Sequence, residues 1–240
     1  MNVLILAAGI GSRLRPYTDT MPKSLVPLNN TPMLARIVES FKELPVEQFY
    51  VVTGYREDQI REFFARRKEP VTFIFNEKYD TAGNGYSLLC AQKELAGKAF
   101  FKVDSDLVFE PQIARRLFEA AGDIRVTVDV RDDMGEEEMK VKVDGSGRIV
   151  AFSKEIPPAQ AWGESIGIEY MTERGGEEVF SELHTMMVEG LTGAYYEEAY
   201  GRLAVKGSHV TATRVLPSDR WYEIDNEEDL QTASRIFSGE

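Results

Sequence analysis

The chain has 240 residues, of which 43% are hydrophobic and 28% are charged, a balance typical of folded proteins rather than disordered ones. Its 40 acidic and 28 basic side chains give a net charge of -12, which argues against nucleic acid or an anionic membrane as partner, since phosphate groups would be repelled. One cysteine and two histidines far apart in sequence exclude an internal disulfide, argue against a zinc or histidine-based metal site, and indicate a reducing compartment.

The first segment of the chain, Val3–Ala8, is a continuous apolar run that stops at a glycine. It is far shorter than the ~20 residues of a membrane helix and lacks the flanks of a secretory signal, so we expect a soluble, cytoplasmic protein. Such a run instead predicts a strand that is buried on both faces, as in a parallel sheet.

Strands and helices are predicted to alternate through the first 121 residues. After the first strand, the periodicity predicts in order a helix over 32–44, a strand over 48–54, a helix over 57–67, a strand over 71–75, a helix over 87–95, a strand over 99–103 and a helix over 111–121. This alternation is typical of βαβ units with right-handed crossovers, which place helices on both faces of a mainly parallel sheet.

The pattern changes after residue 122. Short strands joined by tight turns indicate antiparallel additions to the sheet, at 124–130, 140–143 and 149–153. The acidic run 132–138 predicts a solvated loop. Three further helices are predicted, at 176–190, 195–205 and 226–237, the last with Asn226 as its N-cap. We therefore expect an α/β, Rossmann-like fold, with a mainly parallel mixed sheet flanked by helices in a single domain over residues 1–240.

The strongest chemical signal follows the first strand, where the chain reads AAGIGSRLRPYTDTMPKSLVP over residues 7–27. Ligands of open α/β sheets bind beyond the carboxyl ends of strands, and glycines there let backbone N–H groups approach an anion. Residues 1–25 hold three cations, Arg13, Arg15 and Lys23, against the single acid Asp19, in an otherwise acidic chain. This local excess of positive charge predicts a phosphate site.

Two common phosphate motifs do not fit this segment. A dinucleotide fingerprint needs a glycine at position 14, which is Leu14, and a Walker loop needs glycine rather than Pro22 before Lys23. The segment resembles instead the sugar-phosphate nucleotidyltransferases of the MobA-like superfamily, which join an NTP to a phosphorylated small molecule. The match is G-x-G-x-R followed about ten residues later by Pro-Lys, carried by Gly9, Gly11, Arg13, Pro22 and Lys23.

The resemblance covers nearly the whole chain, from Met1 to about Ile236. It implies the nucleotide-diphospho-sugar transferase fold, with a nucleotide-binding half over 1–121 and an acceptor-binding half over 122–240. It also implies that Arg13 stabilises the transferring phosphoryl group and that Lys23 contacts phosphate, so both are expected catalytic residues.

Two acids at the end of the predicted strand 99–103, Asp104 and Asp106, suit Mg²⁺, which prefers oxygen ligands, although alone they would fit an ordinary turn equally well. The resemblance assigns the metal and a catalytic role to Asp106. It assigns a second metal ligand to Asp225 in the string YEIDNEEDL, where the residues alone predict only a helix start. Mg²⁺ is therefore the expected cofactor.

The strings NEKY at 76–79 and GNGYSLL at 83–89 would alone predict a polar loop that caps a helix. They resemble the family branch that uses CTP with phosphocholine, inositol-1-phosphate or 2-aminoethylphosphonate, whereas glucose-phosphate enzymes usually have a glutamine-containing string there. The nucleotide contacts implied by the resemblance are Leu6, Ala8, Gly9, Gly11, Ser12, Asn84, Gly85, Ser87 and Asp104.

The acceptor contacts expected from the resemblance and from side-chain chemistry are Lys154, Glu164, Gly167, Tyr196 and Glu197. Lys154 alone would more often be a surface lysine, and the family places a lysine there against the acceptor phosphate. Tyr196 and Glu197 suit an ammonium group, through cation–π and charge attraction, as well as an ordinary helix surface. Trp162 and Trp221 suit either aromatic walls of a pocket or simple packing.

These features predict a Mg²⁺-dependent cytidylyltransferase that joins CTP to a small phosphorylated or phosphonate acceptor and releases pyrophosphate. Two alternatives stay open: a sugar-1-phosphate nucleotidyltransferase using UTP, dTTP or GTP, and a catalytically silent regulatory subunit with the same fold. The expected partners are CTP and the acceptor, without nucleic acid or membrane. A homodimer is compatible with the sequence, which fixes no oligomeric state.

Overall fold

The computed structural model of the protein describes residues 1–131, 133–136 and 138–239. Its strands are β1 (Asn2–Ala7), β2 (Pro27–Leu28), β3 (Thr31–Pro32), β4 (Gln48–Thr53), β5 (Val71–Phe75), β6 (Phe100–Asp104), β7 (Leu107–Phe109), β8 (Ile124–Asp129), β9 (Lys140–Val143), β10 (Ile149–Ser153), β11 (Gly163–Met171), β12 (Val210–Arg214) and β13 (Trp221–Glu223). Its α-helices are α1 (Met33–Ser40), α2 (Glu57–Ala65), α3 (Asn84–Cys90), α4 (Gln92–Leu95), α5 (Pro111–Glu119), α6 (Glu173–Val188), α7 (Tyr196–Val205) and α8 (Glu227–Ile236).

Strand β1 lies at the centre of the main sheet and pairs in parallel with β4 and β6. Its alternate residues face two different cores. Leu4 and Leu6 pack in one core with residues of α3, α6 and α7, whereas Val3 and Ile5 pack in the other with residues of α1, α2 and α5. Because helices cover both faces, every residue between Val3 and Ala8 must be apolar, which explains the continuous hydrophobic run.

The main sheet has nine strands among the described residues, in the order β10-β9-β11-β6-β1-β4-β5, with β8 paired to β11 and β12 paired to β8. The four strands β6, β1, β4 and β5 are parallel. Strand β11 is antiparallel to β6, β8 and β9, so it joins the later part of the chain to the parallel part. The predicted fold class, a mixed sheet with antiparallel additions and flanking helices, is confirmed.

Strand β11 contains an irregularity beside the carboxyl end of β6. Its register against β8 shifts between Ser165 and Glu169, and Gly167 within this bulge has a φ of +78°. Glycine reaches this left-handed conformation at little cost, and bulges commonly lie next to functional sites. The neighbouring Ile168 pairs with Val103, which places Gly167 next to Asp104, the last residue of β6.

Several element boundaries differ from the sequence prediction for local reasons. The predicted helix over 87–95 begins earlier, at Asn84, and divides into α3 and α4. Helix α6 begins at Glu173, because the Thr172 hydroxyl accepts a hydrogen bond from the Gly175 N–H and caps the helix at 3.1 Å. Strand β12 was not predicted, since its threonines and arginine interrupt the apolar pattern.

The acidic run predicted as a solvated loop falls partly outside the described residues, at positions 132 and 137. Its other residues, 133–136 and 138, belong to no helix or strand. As far as the described residues go, none of the helices has both the length and the apolar character needed to cross a bilayer.

A third, smaller apolar cluster connects the start of the chain to its last helix. It includes Leu14 and Val26 from the segment around the predicted phosphate loop, Ile224 directly after β13, Leu230 of α8, and Phe237 directly after α8. This packing holds the loop that carries Lys23 against the segment that carries Asp225. The fold thereby brings together residues that are about 200 positions apart in sequence.

Candidate active site

A cavity of about 780 Å³ opens at the carboxyl ends of β1 and β6. This is the place where ligands bind in open α/β sheets. Nearly all the residues predicted to act in catalysis or binding line it, namely Leu6, Ala8, Gly9, Gly11, Ser12, Arg13, Lys23, Asn84, Ser87, Asp104, Asp106, Lys154, Glu164, Gly167, Tyr196, Glu197 and Asp225. The exception is Gly85.

The glycine loop after β1 brings the Lys23 side chain close to the backbone. Gly11 has a φ of +66°, and a Cβ built on it would lie 2.8 Å from the Lys23 Cβ, so only glycine lets the lysine approach this closely. The Thr18 hydroxyl donates to the Gly11 carbonyl at 2.9 Å and holds the turn. The two motif residues Gly11 and Lys23 are therefore in contact, as their shared place in one signature suggests.

The ammonium group of Lys23 lies between two predicted metal ligands. Its Nζ is 2.7 Å from Oδ2 of Asp106 and 2.6 Å from Oδ1 of Asp225, and Arg13 approaches the other Asp225 oxygen at 2.9 Å. Burial alone would lower the pKa of Lys23, but the negative charges of Asp106 and Asp225 outweigh it and raise that pKa. Lys23 is therefore a fixed positive charge bound by both carboxylates.

The two acids at the end of β6 differ electrostatically. Burial raises the pKa of Asp104. Burial acts in the same direction on Asp106, but the nearby Lys23 ammonium outweighs it and lowers the pKa of Asp106. Asp106 is thus held as a carboxylate, the form that binds a cation.

A third carboxylate that the sequence analysis did not select, Glu223, joins Asp106 and Asp225. One oxygen from each of the three lies within 4.8 Å of the others. Strand β13 brings them together, because it pairs with β7 and the Ile224 N–H donates to the Asp106 carbonyl at 3.0 Å. The signal in the sequence was the alternation of Glu223 and Asp225, which places two acids at the same end of a short strand.

Three oxygen donors around one point fit Mg²⁺, which takes oxygen ligands, usually one or two carboxylates together with water and substrate phosphates. The lysine ammonium between Asp106 and Asp225 shows that this position attracts positive charge. Glu223, the exposed member of the three, faces the negative charges of both other carboxylates, which a bound cation would offset. The donor set therefore fits the predicted metal.

Helix α3 provides a polar wall of the cavity. The side-chain oxygen of Asn84 accepts from the Tyr196 N–H at 3.0 Å, and the Ser87 hydroxyl accepts from Asn76 at 2.9 Å. Gly85 lies behind this wall and not in the cavity lining. Its N–H donates to the Ala194 carbonyl at 3.3 Å, and a Cβ there would lie only 2.9 Å from that oxygen, so the glycine allows close packing of the chain before α7.

The predicted acceptor residues line the same cavity. Glu164 is almost buried and forms an ion pair with Arg131 at 2.9 Å. Burial raises the pKa of Glu164 to about 7, although Arg131 opposes the shift. The Lys154 ammonium lies 4.9 Å from the centre of the Tyr195 ring, a cation–π contact at the edge of the cavity.

Tyr196 and Glu197 are both buried rather than part of an exposed helix surface. The Tyr196 ring already faces a cation, the Lys102 ammonium 3.4 Å from its centre, and its hydroxyl donates to Asp104. Burial raises the pKa of Glu197 to about 7. Of the two tryptophans, Trp221 lines the cavity and donates to Asp129 at 3.2 Å, whereas Trp162 packs against the apolar core.

Comparisons with known proteins place this site in a family. Over 106 residues the chain is 37% identical to choline-phosphate cytidylyltransferase of Streptococcus pneumoniae, an alignment that covers 44% of each protein. The chain thus matches less than half the length of this curated relative.

Solved structures resemble nearly the whole chain but share less sequence. The inositol-1-phosphate CTP transferase of T. maritima superposes with a TM-score of 0.82 at 24% identity, covering 99% of this chain and 96% of that one. A UDP-glucose pyrophosphorylase complexed with UDP-glucose superposes with a TM-score of 0.79 at 16% identity, covering 98% and 97%. At these identities the likeness shows the fold alone.

A family model connects the fold to the site. The model of the MobA-like NTP transferase domain matches residues 3–175, which include the glycine loop, Arg13, Lys23 and Asp106. This match extends over more than half of the chain and agrees with the predicted resemblance. The chain belongs to the MobA-like NTP transferase domain family.

Proposed function

We propose that this protein is a Mg²⁺-dependent cytidylyltransferase that joins CTP to a small phosphorylated or phosphonate acceptor and releases pyrophosphate. The acceptors in question are of the phosphocholine, 2-aminoethylphosphonate or inositol-1-phosphate type. The observation that carries the proposal is the meeting of Lys23, Asp106 and Asp225 at the end of the glycine loop. The names of the pneumococcal relative and of the T. maritima structure support CTP as the nucleotide.

In the proposed reaction, an oxygen of the acceptor's phosphate or phosphonate forms a bond to the α-phosphorus of CTP. The bond from that phosphorus to the oxygen bridging to the β-phosphate breaks, and the electron pair leaves with pyrophosphate. The attacking oxygen is already an anion, so the site needs no catalytic base. Catalysis then consists of positioning the two substrates and neutralising their charge.

The positively charged groups of the site each contact a different phosphate of the two substrates in the proposed reaction. The backbone N–H groups of residues 9–12 and the Arg13 guanidinium hold the departing β- and γ-phosphates. Lys23 neutralises charge on the α-phosphoryl group as it is attacked, which requires its ammonium to leave the carboxylates that it contacts in the free protein. Lys154 holds the phosphate or phosphonate of the acceptor.

The metal site would be formed by Asp106 and Asp225, with Glu223 as a further oxygen donor. When bound, Mg²⁺ supplies Lewis-acid neutralisation of the phosphate oxygens. These carboxylates keep an anionic substrate from approaching unless a cation accompanies it, so the same residues that hold the metal also make the site dependent on it.

The acceptor side of the cavity carries both signs of charge. Lys154 suits the anionic end of an acceptor, and Glu197, with its Oε2 atom buried and without a hydrogen-bond partner among the described residues, suits a positively charged or hydroxyl-bearing end. Aminoalkyl and trialkylammonium groups carry the positive charge that suits this carboxyl group, and a polyol carries the hydroxyl groups that suit it. The acceptor is therefore expected from these three chemical classes.

The deciding experiment is pyrophosphate release with Mg²⁺, in which CTP, UTP, GTP, ATP and dTTP are crossed with phosphocholine, phosphoethanolamine, 2-aminoethylphosphonate, inositol-1-phosphate and several sugar-1-phosphates. An Asp106→Asn variant serves as the inactive control. Turnover with CTP and an amino-alcohol, phosphonate or polyol acceptor is the expected result.

Two other outcomes would replace this proposal. Turnover only with UTP, dTTP or GTP and a sugar-1-phosphate would identify a sugar nucleotidyltransferase. Mg²⁺-dependent CTP binding without pyrophosphate release from any pair would identify a regulatory subunit, a function for which the complete set of Arg13, Lys23, Asp106 and Asp225 is not needed.

A further inference from the structure

A second group of charges lies directly beneath the floor of the cavity, and the proposed reaction assigns no role to the lysine at its centre. The Lys102 side chain at its centre is fully buried. Its Nζ is 3.0 Å from Oδ1 of Asp104 and 3.0 Å from Oε2 of Glu169, and it donates to the Gly167 carbonyl at 3.4 Å. The Tyr196 ring covers the ammonium at 3.4 Å.

Lys102 is an unusual residue for its position. It lies in β6, a central strand whose neighbours are apolar, directly across from Glu169 of β11. Lysine is almost never fully buried unless it is paired. Apolar residues of similar volume would stabilise such a core equally well or better, so a buried ion pair is weak evidence of a role in stability.

The balance of charge in this group is also unfavourable for stability. One lysine faces three acids, Asp104, Glu169 and Glu197, all within the interaction range of its ammonium. Burial raises the pKa of Glu169 to about 8 and that of Glu197 to about 7, which shows that the single positive charge does not compensate all three. The arrangement therefore calls for an explanation outside folding.

Asp104 connects the buried group to the cavity. Its side chain is 25% exposed and lines the cavity, while both of its oxygens are held from behind. Oδ1 contacts the Lys102 ammonium and Oδ2 accepts from the Tyr196 hydroxyl. A Cβ on Gly167 would lie 2.6 Å from Oδ2, so the glycine leaves room for the carboxylate in this orientation.

We infer that Lys102 is a positioning residue that acts through Asp104. Its ammonium fixes the Asp104 carboxylate in one orientation on the cavity floor before the nucleotide binds. This inference rests on the proposed function and on the contact between Asp104 and the nucleotide that the family resemblance implies. Fixing a binding group in advance removes the entropic cost of ordering it in the complex, and a group left loose by about 1 Å loses much of its effect.

The test compares two substitutions that break the same buried ion pair. Lys102→Met removes the charge that holds Asp104, whereas Glu169→Gln leaves Lys102 and its contact with Asp104 in place. CTP binding is measured by calorimetry in the presence of Mg²⁺. Thermal unfolding is measured as well, together with the KM of the acceptor that supports pyrophosphate release in the crossed-substrate experiment. We expect both variants to unfold at lower temperature, because both disturb a buried pair.

Only Lys102→Met is expected to weaken CTP binding, by roughly tenfold, as is usual when a residue that orients a binding group is removed. Glu169→Gln should bind CTP within about twofold of the wild type, and neither variant should change the KM of the acceptor by more than that. An equal loss of CTP affinity in the two variants, or a change confined to the acceptor KM, would overturn the inference.

A double-mutant cycle provides a readout that a purely structural role would not change. In an Asp104→Asn background, Lys102→Met should cause no further loss of CTP affinity, because the residue through which it acts is already altered. Additive losses would contradict an action through Asp104. If Lys102→Met does not fold, the charge-balanced variant Lys102→Met/Glu169→Leu replaces it, with the same expected loss.

Failure of the inference and failure of the proposed function are distinguishable in this design. Wild-type protein that does not bind CTP would overturn the proposed function and the inference with it. Wild-type affinity for CTP in the Lys102→Met variant, beside normal binding and turnover in the wild type, would overturn the inference alone.

Discussion

Two lysines of this protein each lie between two carboxylates, in opposite surroundings. Lys23 contacts Asp106 and Asp225 at the mouth of the cavity, where its side chain is 13% exposed. Lys102 contacts Asp104 and Glu169 beneath the floor, where its side chain is fully buried and an aromatic ring covers it.

The difference lies in what can replace each lysine. A ligand cation or phosphate can reach the Lys23 pairs, so those contacts can be exchanged during a reaction. The Lys102 ammonium itself is closed to solvent, so its contacts can only hold geometry. Ion pairs of similar length therefore have different uses, which are decided by access rather than by distance.

The largest effect is expected at the open site, by which we mean Lys23 with Asp106 and Asp225. A variant of this site should lose activity without losing stability. Asp106→Asn should lower the rate of pyrophosphate release by about 10²- to 10³-fold, because a group that neutralises charge during the reaction is lost. Thermal unfolding should change little, since the open site contributes binding rather than packing. Asp58→Asn, which alters an exposed acid on α2, is the control and should keep the wild-type rate.

Removal of the Lys23 ammonium is expected to change activity and metal affinity in opposite directions. Lys23→Met should slow pyrophosphate release, yet it should tighten Mn²⁺ binding to the free protein, because the ammonium no longer competes for Asp106 and Asp225. Electron paramagnetic resonance of free Mn²⁺ measures this binding without substrate. Lys42→Met, at a surface pair with Glu39, is the matched control. Weaker Mn²⁺ binding in Lys23→Met would show that the lysine and the metal do not share a position.

Two glycines with similar backbone conformations test the closed site, by which we mean Lys102 with Asp104 and Glu169. Gly167 and Gly147 have similar φ values of +78° and +81°, but a Cβ would meet Asp104 at 2.6 Å in the first and nothing within 4 Å in the second. Gly147→Ala should cost about 1–2 kcal/mol in the free energy of unfolding, from backbone conformation alone. Gly167→Ala should cost more and should also raise the KM of CTP, measured by urea denaturation and steady-state kinetics. Equal behaviour of the two variants would mean that Asp104 is not held in place.

The last prediction concerns the pH dependence of stability, which does not involve the rate of the reaction. Burial, only partly offset by Lys102 and reinforced by the charges of Asp104 and Glu197, raises the pKa of Glu169 to about 8 in the folded protein. The folded state then binds a proton more tightly than the unfolded state, so this contribution to stability is complete below about pH 4.5 and is lost as the pH rises through about 8. Urea denaturation at several pH values should show a shallower decline between pH 5 and 8 in Glu169→Gln. A steeper decline in the variant would reverse the assigned sign.

Much of this architecture is predictable from the sequence because local patterns determine it. The apolar run of β1, the helical spacing after it and the glycine-rich loop led directly to the parallel part of the sheet. Strand β12 was missed because its polar residues interrupt the alternation, and α6 starts early because Thr172 caps it.

The parts of the site that escaped prediction depend on contacts between distant segments. Lys102 meets Glu169, 67 positions later, only because β6 and β11 pair in one register. The position of Tyr196 also depends on a distant contact. Its sequence context suits either an ammonium site or a helix surface, and in the structure its ring lies over the ammonium of the protein's own Lys102. Glu223 could have been found, because its alternation with Asp225 was visible in the sequence.

The pairing of β13 with β7 has a consequence for the life of the chain during synthesis. Asp225 reaches Lys23 across 202 positions, and it is held there by a strand that is made long after the glycine loop. A nascent chain that ends before β13 already contains the glycine loop and Asp106 but has no complete set of carboxylates. In the proposed function, the carboxylates that would hold the metal are complete only after β13 has paired with β7.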